Sequence, residues 1–289
     1  MTQQKHDNFT GIVLMIVAMM LFPLMDAVAK WLVINNISSI QIIAVRSWMM
    51  IPVILLTLSL RGDIKRLKTE QPVVHVVRGL FGFLAPFAFF TALKQLPLAD
   101  ATVVFFSSVF ILTALSALLL KEHVGIHRWS AVVLGFVGVV IAMNPQGDGE
   151  LSAYLLVLGS STMYSFLFIS GKYLSKKDSA ISLVFSLILM MGMVSSALLP
   201  WVWVPMPWTI IGMIALMTTI AFGAHIAFAS AFSRAPVSLL APFEYTALIW
   251  AALFGYLVWA DIPSLRMWAG AAIIIACGLY VIHRESLHK

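Results

Sequence analysis

The sequence predicts an all-α integral membrane protein whose ten transmembrane helices form two inverted repeats of five. Ten apolar stretches of about twenty residues fill the chain, with short polar breaks between them. Hydrophobic residues make up 61% of the chain and charged residues 10%, and the mean hydropathy is +0.99. A helix needs roughly 20 apolar residues to cross about 30 Å of hydrocarbon. A soluble fold of this composition could not cover its surface with polar groups.

All ten spans should be helical, because a segment in lipid must satisfy its own backbone hydrogen bonds. The breaks at 61–72 and 144–150 are the longest, and neither could build a core, so function must lie among the helices. The first span follows the polar segment 1–10 and is too long for a signal-peptide core, so we expect it to be retained. The expected spans are 11–33, 38–60, 73–95, 98–120, 126–144, 151–174, 180–202, 207–232, 236–259 and 264–283.

The basic residues favour one orientation. If the N-terminus is cytoplasmic, three of the 18 lysines and arginines fall inside spans, thirteen in inner segments, and two, Lys94 and Arg266, in outer segments. Inner loops carry an excess of Lys and Arg. We therefore expect the cell inner (cytoplasmic) membrane, with both termini cytoplasmic. Orientation also explains the net charge of +6 better than nucleic-acid binding does.

Composition also limits cofactors and partners. Cys277 is the single cysteine, so an internal disulfide and a cysteine metal cluster are excluded. His123 and His127 lack a third ligand nearby, and no phosphate-binding P-loop occurs that would indicate direct ATP drive. We expect no cofactor and no metal. The expected partners are a small-molecule solute and the lipid bilayer, and a homodimer is left open.

The two halves of the chain resemble each other at a fixed offset. A shift of 139 residues pairs Pro97 with Pro236, Glu122 with Asp261, and Trp129 with Trp268. A second register, offset by 142 residues, pairs Lys30 with Lys172. Each half has five spans, an odd number, so the second half must enter the membrane inverted. Inverted repeats are typical of transporters, although channels can also carry repeats. The expected repeats are 11–144 and 150–284.

Several motifs resemble a known family. The stretch Leu96 to Ala101, the helix end Leu120-Lys121-Glu122, Arg128-Trp129 and the small-residue run Gly135 to Val140 are similar to the EamA module of the drug/metabolite transporter superfamily. The segment Phe22 to Lys30, Arg46 and Arg78-Gly79 resemble one bacterial subgroup, whose members carry S-adenosylmethionine, riboflavin or amino acids. In the second half, Ala260-Asp261 stands where the module usually has Gly-Glu.

The resemblance implies a ten-helix bundle with two inverted five-helix repeats around a central cavity. It further implies a secondary transporter that moves a small polar or amphipathic organic metabolite by alternating access. The solute would be amino-acid-like, S-adenosylmethionine-like or a vitamin. Two other classes are weighed beside it: an integral-membrane enzyme acting on a lipid or isoprenoid, and an ion channel. Acids scattered singly over the helices argue against the enzyme, and the absence of a filter-like loop argues against the channel.

Six ionisable residues lie inside the expected spans, where each costs at least ~2.5–3.5 kcal/mol on insertion scales. Their depths suggest an outer cluster of Asp26, Lys30 and Arg46, and an inner cluster of Arg78, His225 and Glu244. Asp26 and Lys30 share one helix face, since they are spaced i, i+4. Two such layers could gate a central site. The structural alternatives are snorkelling of Lys30 and Arg78, an ion pair of Asp26 with Arg46, and packing of His225.

The candidate substrate-binding residues combine these charges with aromatic side chains. Tyr164, Tyr245 and Trp250 carry polar atoms that need a partner when buried, and their rings could stack on a flat or cationic solute. Lys30, Arg78 and His225 are the candidates for gating or proton coupling. We expect no catalytic residue. The candidate binding set is Asp26, Arg46, Tyr164, Glu244, Tyr245 and Trp250.

Overall fold

The computed structural model describes residues 2–61, 64–121, 124–144, 148–175 and 177–286. Glu122 and His123 lie outside these residues. Regular structure in the described part is helical, and two short 3-10 helices, Ile64–Leu67 and Leu199–Trp201, accompany the α-helices. The all-α fold class is confirmed. The α-helices are α1 Thr2–Ile34, α2 Ser39–Arg61, α3 Pro72–Ala92, α4 Leu98–Phe105, α5 Ser107–Leu119, α6 Ile126–Ala142, α7 Asp148–Leu174, α8 Ala180–Leu198, α9 Trp208–Phe232, α10 Val237–Glu244, α11 Thr246–Trp259 and α12 Leu265–Ser286.

The helices reproduce the ten expected spans. Within the described ranges, nine helical segments are long and apolar enough to cross a membrane, and α6 is a shorter apolar helix. Two spans consist of two helices each: α4 continues into α5, and α10 into α11. Consecutive spans alternate in direction, which defines two faces. The terminal face is where α1 begins and α12 ends, and the distal face is where α1 ends and α12 begins.

Some span ends differ from expectation. The first helix begins at Thr2 rather than 11, because the polar segment contains no proline or glycine before Gly11 that would stop it. The third ends at Ala92 rather than 95, since the amides of Gln95 and Leu96 both turn back to the Ala92 carbonyl. Pro97 follows, has no amide hydrogen, and disfavours helix in the residue before it.

The packing of the helices follows the inverted repeat. Helix α1 packs on α9 and on α11, and the corresponding helix of the second half, α7, packs on α3 and on α5. The repeat also relates α2 to α8 and α6 to α12, and the two helices of each of these pairs pack against each other. The halves are therefore intertwined rather than side by side. The expected repeat boundaries, 11–144 and 150–284, stay a prediction.

Small residues allow the closest of these pairs. On α6 and α12, a side-chain carbon added at Gly270 would contact the Gly138 carbonyl oxygen and lie 2.6 Å from Ala142 Cβ. Helices without a water-driven force between them gain from such close backbone approach. Gly138 and Gly270 are thus explained by packing between the last helices of the two halves, as their sequence context suggests.

A buried polar network ties the terminal face together. Asp178, in the turn between α7 and α8, accepts hydrogen bonds from Thr69 Oγ1 at 2.6 Å and from the Glu70 amide at 3.1 Å. It also lies 2.7 Å from His75 Nε2, and Ser186 on α8 contacts the other ring nitrogen. If Nε2 carries the proton, Nδ1 accepts from Ser186. The network connects the α2–α3 linker to the second half.

The charge state of Asp178 follows from this setting. Burial acts to raise the pKa of the Asp178 carboxyl, but the hydrogen bonds from Thr69, His75 and the Glu70 amide outweigh burial and lower it. Because the folded pKa lies below the unfolded one, folding favours the carboxylate. The stabilisation is present above the ordinary carboxyl pKa and is lost as the pH falls through the lowered one.

We expect Asp178→Asn to unfold at a lower temperature than the parent at pH 7. The difference should shrink as the pH falls below the ordinary carboxyl range, because the parent then loses its carboxylate as well. Thermal unfolding in detergent, followed by circular dichroism at several pH values, measures it. Glu70→Gln is the matched control, since the Glu70 side chain is exposed and its contact with Asp178 is through the backbone. A pH-independent difference would contradict this account.

Candidate functional site

The two interrupted spans cross at the centre of the bundle. Helix α4 gives way to α5 at Phe106, and α10 gives way to α11 at Tyr245. These residues are 139 apart, the offset of the repeat, and their rings contact each other with centroids 5.3 Å apart. The next turn is tightened in both halves, because the amides of Val109 and Leu248 bond the carbonyls three residues back. Such local 3-10 turns within helices often mark hinges.

An acid and a base face each other between α1 and α2. Asp26 and Arg46 interact electrostatically, and both are partly accessible. Among the described residues no hydrogen bond joins the two side chains, and their role in binding a solute stays a prediction. His225 on α9 lies within the electrostatic range of Arg46 and edge-on to Phe22, with ring centroids 5.1 Å apart.

A second charged position lies on the other half. Glu244 ends α10 and acts electrostatically on the hydroxyls of Tyr164 and Tyr245. It also lines a pocket of about 170 Å³ with Arg128 of α6. Tyr245 lies between Phe106 and α12. Its hydroxyl lies directly against Gly278, so any side chain at position 278 would clash with it. Glu244 therefore has two phenols beside it and an open space in front.

Tyr164 combines ring packing with an accessible surface. Its ring packs on Phe105 and on Phe168, with centroids 5.3 and 5.9 Å away, and 37% of the residue is exposed. Because Glu244 acts electrostatically on its hydroxyl, we expect the exposed part to face a hollow inside the bundle rather than lipid. Trp250 is half-buried and stacks on Phe254, with centroids 6.2 Å apart, and its place at the hollow stays a prediction.

On the distal face, Lys30 joins the two halves. Its ammonium lies 2.7 Å from Asp261 Oδ2 and 4.6 Å from the centre of the Trp259 ring. The chain reaches this position through Ala260, which is left-handed with φ 56° and ends α11. The Asp261 amide then bonds back to Gly255 at 3.2 Å. The ion pair closes the gap between the ends of α1 and α11.

The two clusters expected from helix depth are not assembled as predicted. Lys30 was grouped with Asp26 and Arg46, and its hydrogen-bonded partner is Asp261 instead. Residues at i and i+4 share a helix face, but the neighbouring helix decides what that face meets.

The inner cluster is wrong in the same way. Arg78 donates to the Leu183 carbonyl of α8 at 2.8 Å and lies beside Gly171 of α7. His225 lies near Arg46 rather than near Arg78 and Glu244. The reason is helix order, since α3 is covered by α7 and α8.

Sequence reasoning missed two polar residues on the distal face. Asp100 begins α4 and is buried, and the Tyr154 hydroxyl of α7 donates to it at 3.1 Å. Asp100 lies in the Leu96 to Ala101 motif that resembles the family, and the sequence around Tyr154 carries no signal that distinguishes it from other tyrosines in the spans. The signal was present in Asp100, because an acid two residues inside an apolar span has to find a partner.

Interrupted helices and partly accessible charges inside a membrane-spanning bundle are typical of a solute transporter. The chain belongs to the EamA-like transporter family, whose profile matches residues 9–144 and again residues 151–283. It is a transporter of small organic metabolites, as the sequence predicts. The two inverted repeats around a central cavity are the architecture of this family.

Curated relatives carry transporter names. A riboflavin transporter of Vibrio cholerae is 29% identical over 98% of this chain and 96% of its own length. An S-adenosylmethionine uptake transporter of Rickettsia bellii is 29% identical over 76% of this chain and 75% of its own length. A pseudopaline exporter of Pseudomonas aeruginosa is 24% identical over 93% of this chain and 94% of its own length.

A solved crystal structure supports the fold. It covers 100% of this chain and 99% of its own, with a TM-score of 0.60 and 19% identity. At that identity the likeness concerns the fold and not the solute.

We expect Lys30→Met to destabilise the protein by about 3 kcal/mol, because it leaves the Asp261 carboxylate without its cation. Asp261→Asn should cost a similar amount, and the double variant less than the sum of the two. A double-mutant cycle on the temperature of unfolding in detergent isolates this coupling. Lys94→Met is the control on the same face, where the lysine is exposed and its ammonium donates to Asn36 at 3.2 Å. Additive single effects would contradict a direct pair.

Proposed function

We propose that the solute is a flat heteroaromatic metabolite with a charged tail, and that S-adenosylmethionine is its best representative. The observation that carries this proposal is Tyr164, a phenol that is 37% exposed and lies within electrostatic range of the Glu244 carboxylate; in this proposal its exposed part faces the solute. A planar ring stacks on such a surface. The positive groups of the solute would lie near Glu244.

The tail of this solute suits the second charged position. S-adenosylmethionine carries an amino-acid group with one positive and one negative charge. Asp26 and Arg46 offer the complementary pair without bonding each other directly. Ion pairs inside a low-dielectric bundle are stronger than in water, so each group adds to recognition of a zwitterion. In this proposal Asp26, Arg46, Tyr164 and Glu244 bind the solute, Tyr245 positions Glu244, and Trp250 extends the aromatic wall.

A second candidate is riboflavin, because the Vibrio cholerae riboflavin transporter is similar over almost the whole chain. Riboflavin also has a flat ring system, but it carries no positive charge for Glu244. Loss of the Glu244 carboxylate therefore distinguishes the two candidate solutes. Both would be moved by alternating access, with the Lys30–Asp261 ion pair closing the distal face and rearrangement about Phe106 and Tyr245 opening it. Arg78 and His225 remain candidates for the opposite gate or for coupling.

The proposal is tested by counterflow of labelled S-adenosylmethionine and of labelled riboflavin into liposomes that contain the purified protein. Tyr164→Ala should weaken either solute by about 5- to 150-fold in half-saturating concentration, since stacking on an aromatic ring is worth about 1–3 kcal/mol. Glu244→Gln should weaken S-adenosylmethionine by about tenfold or more through loss of a charge-assisted contact, and leave riboflavin nearly unchanged.

The matched control is Tyr173→Ala, which removes an exposed tyrosine from the same helix. It should transport like the parent. Flux of both solutes that does not saturate would contradict a transporter with a binding site for either. Equal losses for Tyr164→Ala and Tyr173→Ala would remove Tyr164 from the site.

We also propose that the terminal face is cytoplasmic and that the protein lies in the inner membrane of the cell. The excess of lysine and arginine in the segments on that face supports this orientation. A fluorescent reporter joined after Lys289 should fold and fluoresce, and an alkaline phosphatase joined there should be inactive. The opposite pair of results would reverse the orientation.

A further inference from the structure

Asp100 is a buried acid that the proposed binding site does not use. It lies in the first turn of α4 at the distal face and is 9% exposed. Tyr154 donates to Oδ2 at 3.1 Å. The other oxygen, Oδ1, is buried, and no donor reaches it from the part of the chain that the structure describes. A buried carboxylate oxygen without a donor is costly, whereas a protonated oxygen carries no charge and can itself donate.

The charged groups around Asp100 indicate which species would bind its Oδ1 oxygen. Asp261 and Glu150 act on Asp100 with like charge, and Lys30 acts on it with opposite charge. The Lys30 ammonium is bonded to Asp261 at 2.7 Å. Asp100 and Asp261 thus have one lysine between them, and in this structure Lys30 is paired with Asp261.

The other elements packed against α4 at this end add one cation, Arg266, and one further acid, Glu150. Helix α12 carries Arg266, which donates to Asn144 beyond the end of α6 at 2.7 Å. Helix α7 contributes Tyr154 and Glu150, and α1 contributes Lys30. Two carboxylates that share one ammonium lack one positive charge, and one proton on Asp100 supplies it.

We propose that Asp100 binds a proton when the distal face closes, and that this proton couples solute movement to pH. When the face is closed, as in this structure, Lys30 holds Asp261 and Asp100 is a neutral carboxylic acid. When the face opens, Lys30 leaves Asp261 and pairs with Asp100. The proton then passes from Asp100 to water, and water solvates Asp261, whose side chain is already 27% exposed. Opening therefore releases one proton and closing takes one up.

This proposal rests on the transport function, but its test needs no solute. Paired spin labels at Ile34→Cys and Ile262→Cys, in a Cys277→Ser background, report the distance between the ends of α1 and α11 across the distal face. Both label positions are exposed. Because the closed state holds one more proton, the closed-to-open ratio should rise up to about tenfold for each unit that the pH falls.

Asp100→Asn is the decisive variant, because asparagine imitates the neutral acid. It should stay closed at every pH. Glu70→Gln, an exposed acid on the other face, should keep the parent's pH dependence. An infrared spectrum of the parent should contain the carbonyl band of a protonated carboxylic acid, and Asp100→Asn should lack it. A pH-independent parent, or an Asp100→Asn variant that keeps the parent's pH dependence, overturns the proposal.

Tyr154→Phe tests the same idea if Asp100→Asn does not fold. A donated hydrogen bond favours the carboxylate over the neutral acid, so without the Tyr154 hydroxyl Asp100 should take up its proton, and closure should begin, about one pH unit higher than in the parent. An unshifted profile would contradict the role of Asp100. Because neither readout depends on flux, a parent that shows this pH dependence but no saturable transport would refute the proposed function and leave the proton site standing.

Discussion

The structure depends on how a chain with few charges places them in a medium without water. In hydrocarbon each buried charge needs a partner or an internal water-accessible space. Lys30 is held by Asp261 and by the Trp259 ring, and Arg78 is held by a backbone carbonyl. Asp26, Arg46 and Glu244 instead face accessible space. The charges with bonded partners connect helices, and we propose that the partly accessible ones face the solute.

The inverted repeat determines where that space lies. Since α1 packs on α9 as α7 packs on α3, the two halves enclose the interrupted spans between them. The interruptions at Phe106 and Tyr245 meet ring to ring. A proline alone cannot explain both, because Pro242 lies in α10 while the corresponding position in α4 is Val103. The shared geometry comes from the repeat itself, and it brings the two interruptions into contact.

The repeats have diverged in chemistry while keeping this geometry. The first half supplies Asp26 and Arg46, and the second supplies Glu244 and His225. These charges lie on helices that are not equivalent in the repeat. In the proposed function such asymmetry suits a solute whose two ends differ, because one end would meet a base and an acid together and the other an acid beside two phenols. A symmetric site would favour a symmetric solute.

The sequence by itself determined the fold class, the ten spans and the transporter class, because lipid leaves helices as the structure for such segments and hydropathy reports them directly. It also singled out six ionisable residues inside the spans, since an ionisable group is conspicuous in an apolar segment. Tertiary structure alone decided their partners. Lys30 pairs with Asp261, 231 residues away, rather than with the charges grouped with it by depth. Helical period gives the face of a residue, whereas the neighbouring helix and a left-handed turn at Ala260 decide what that face meets.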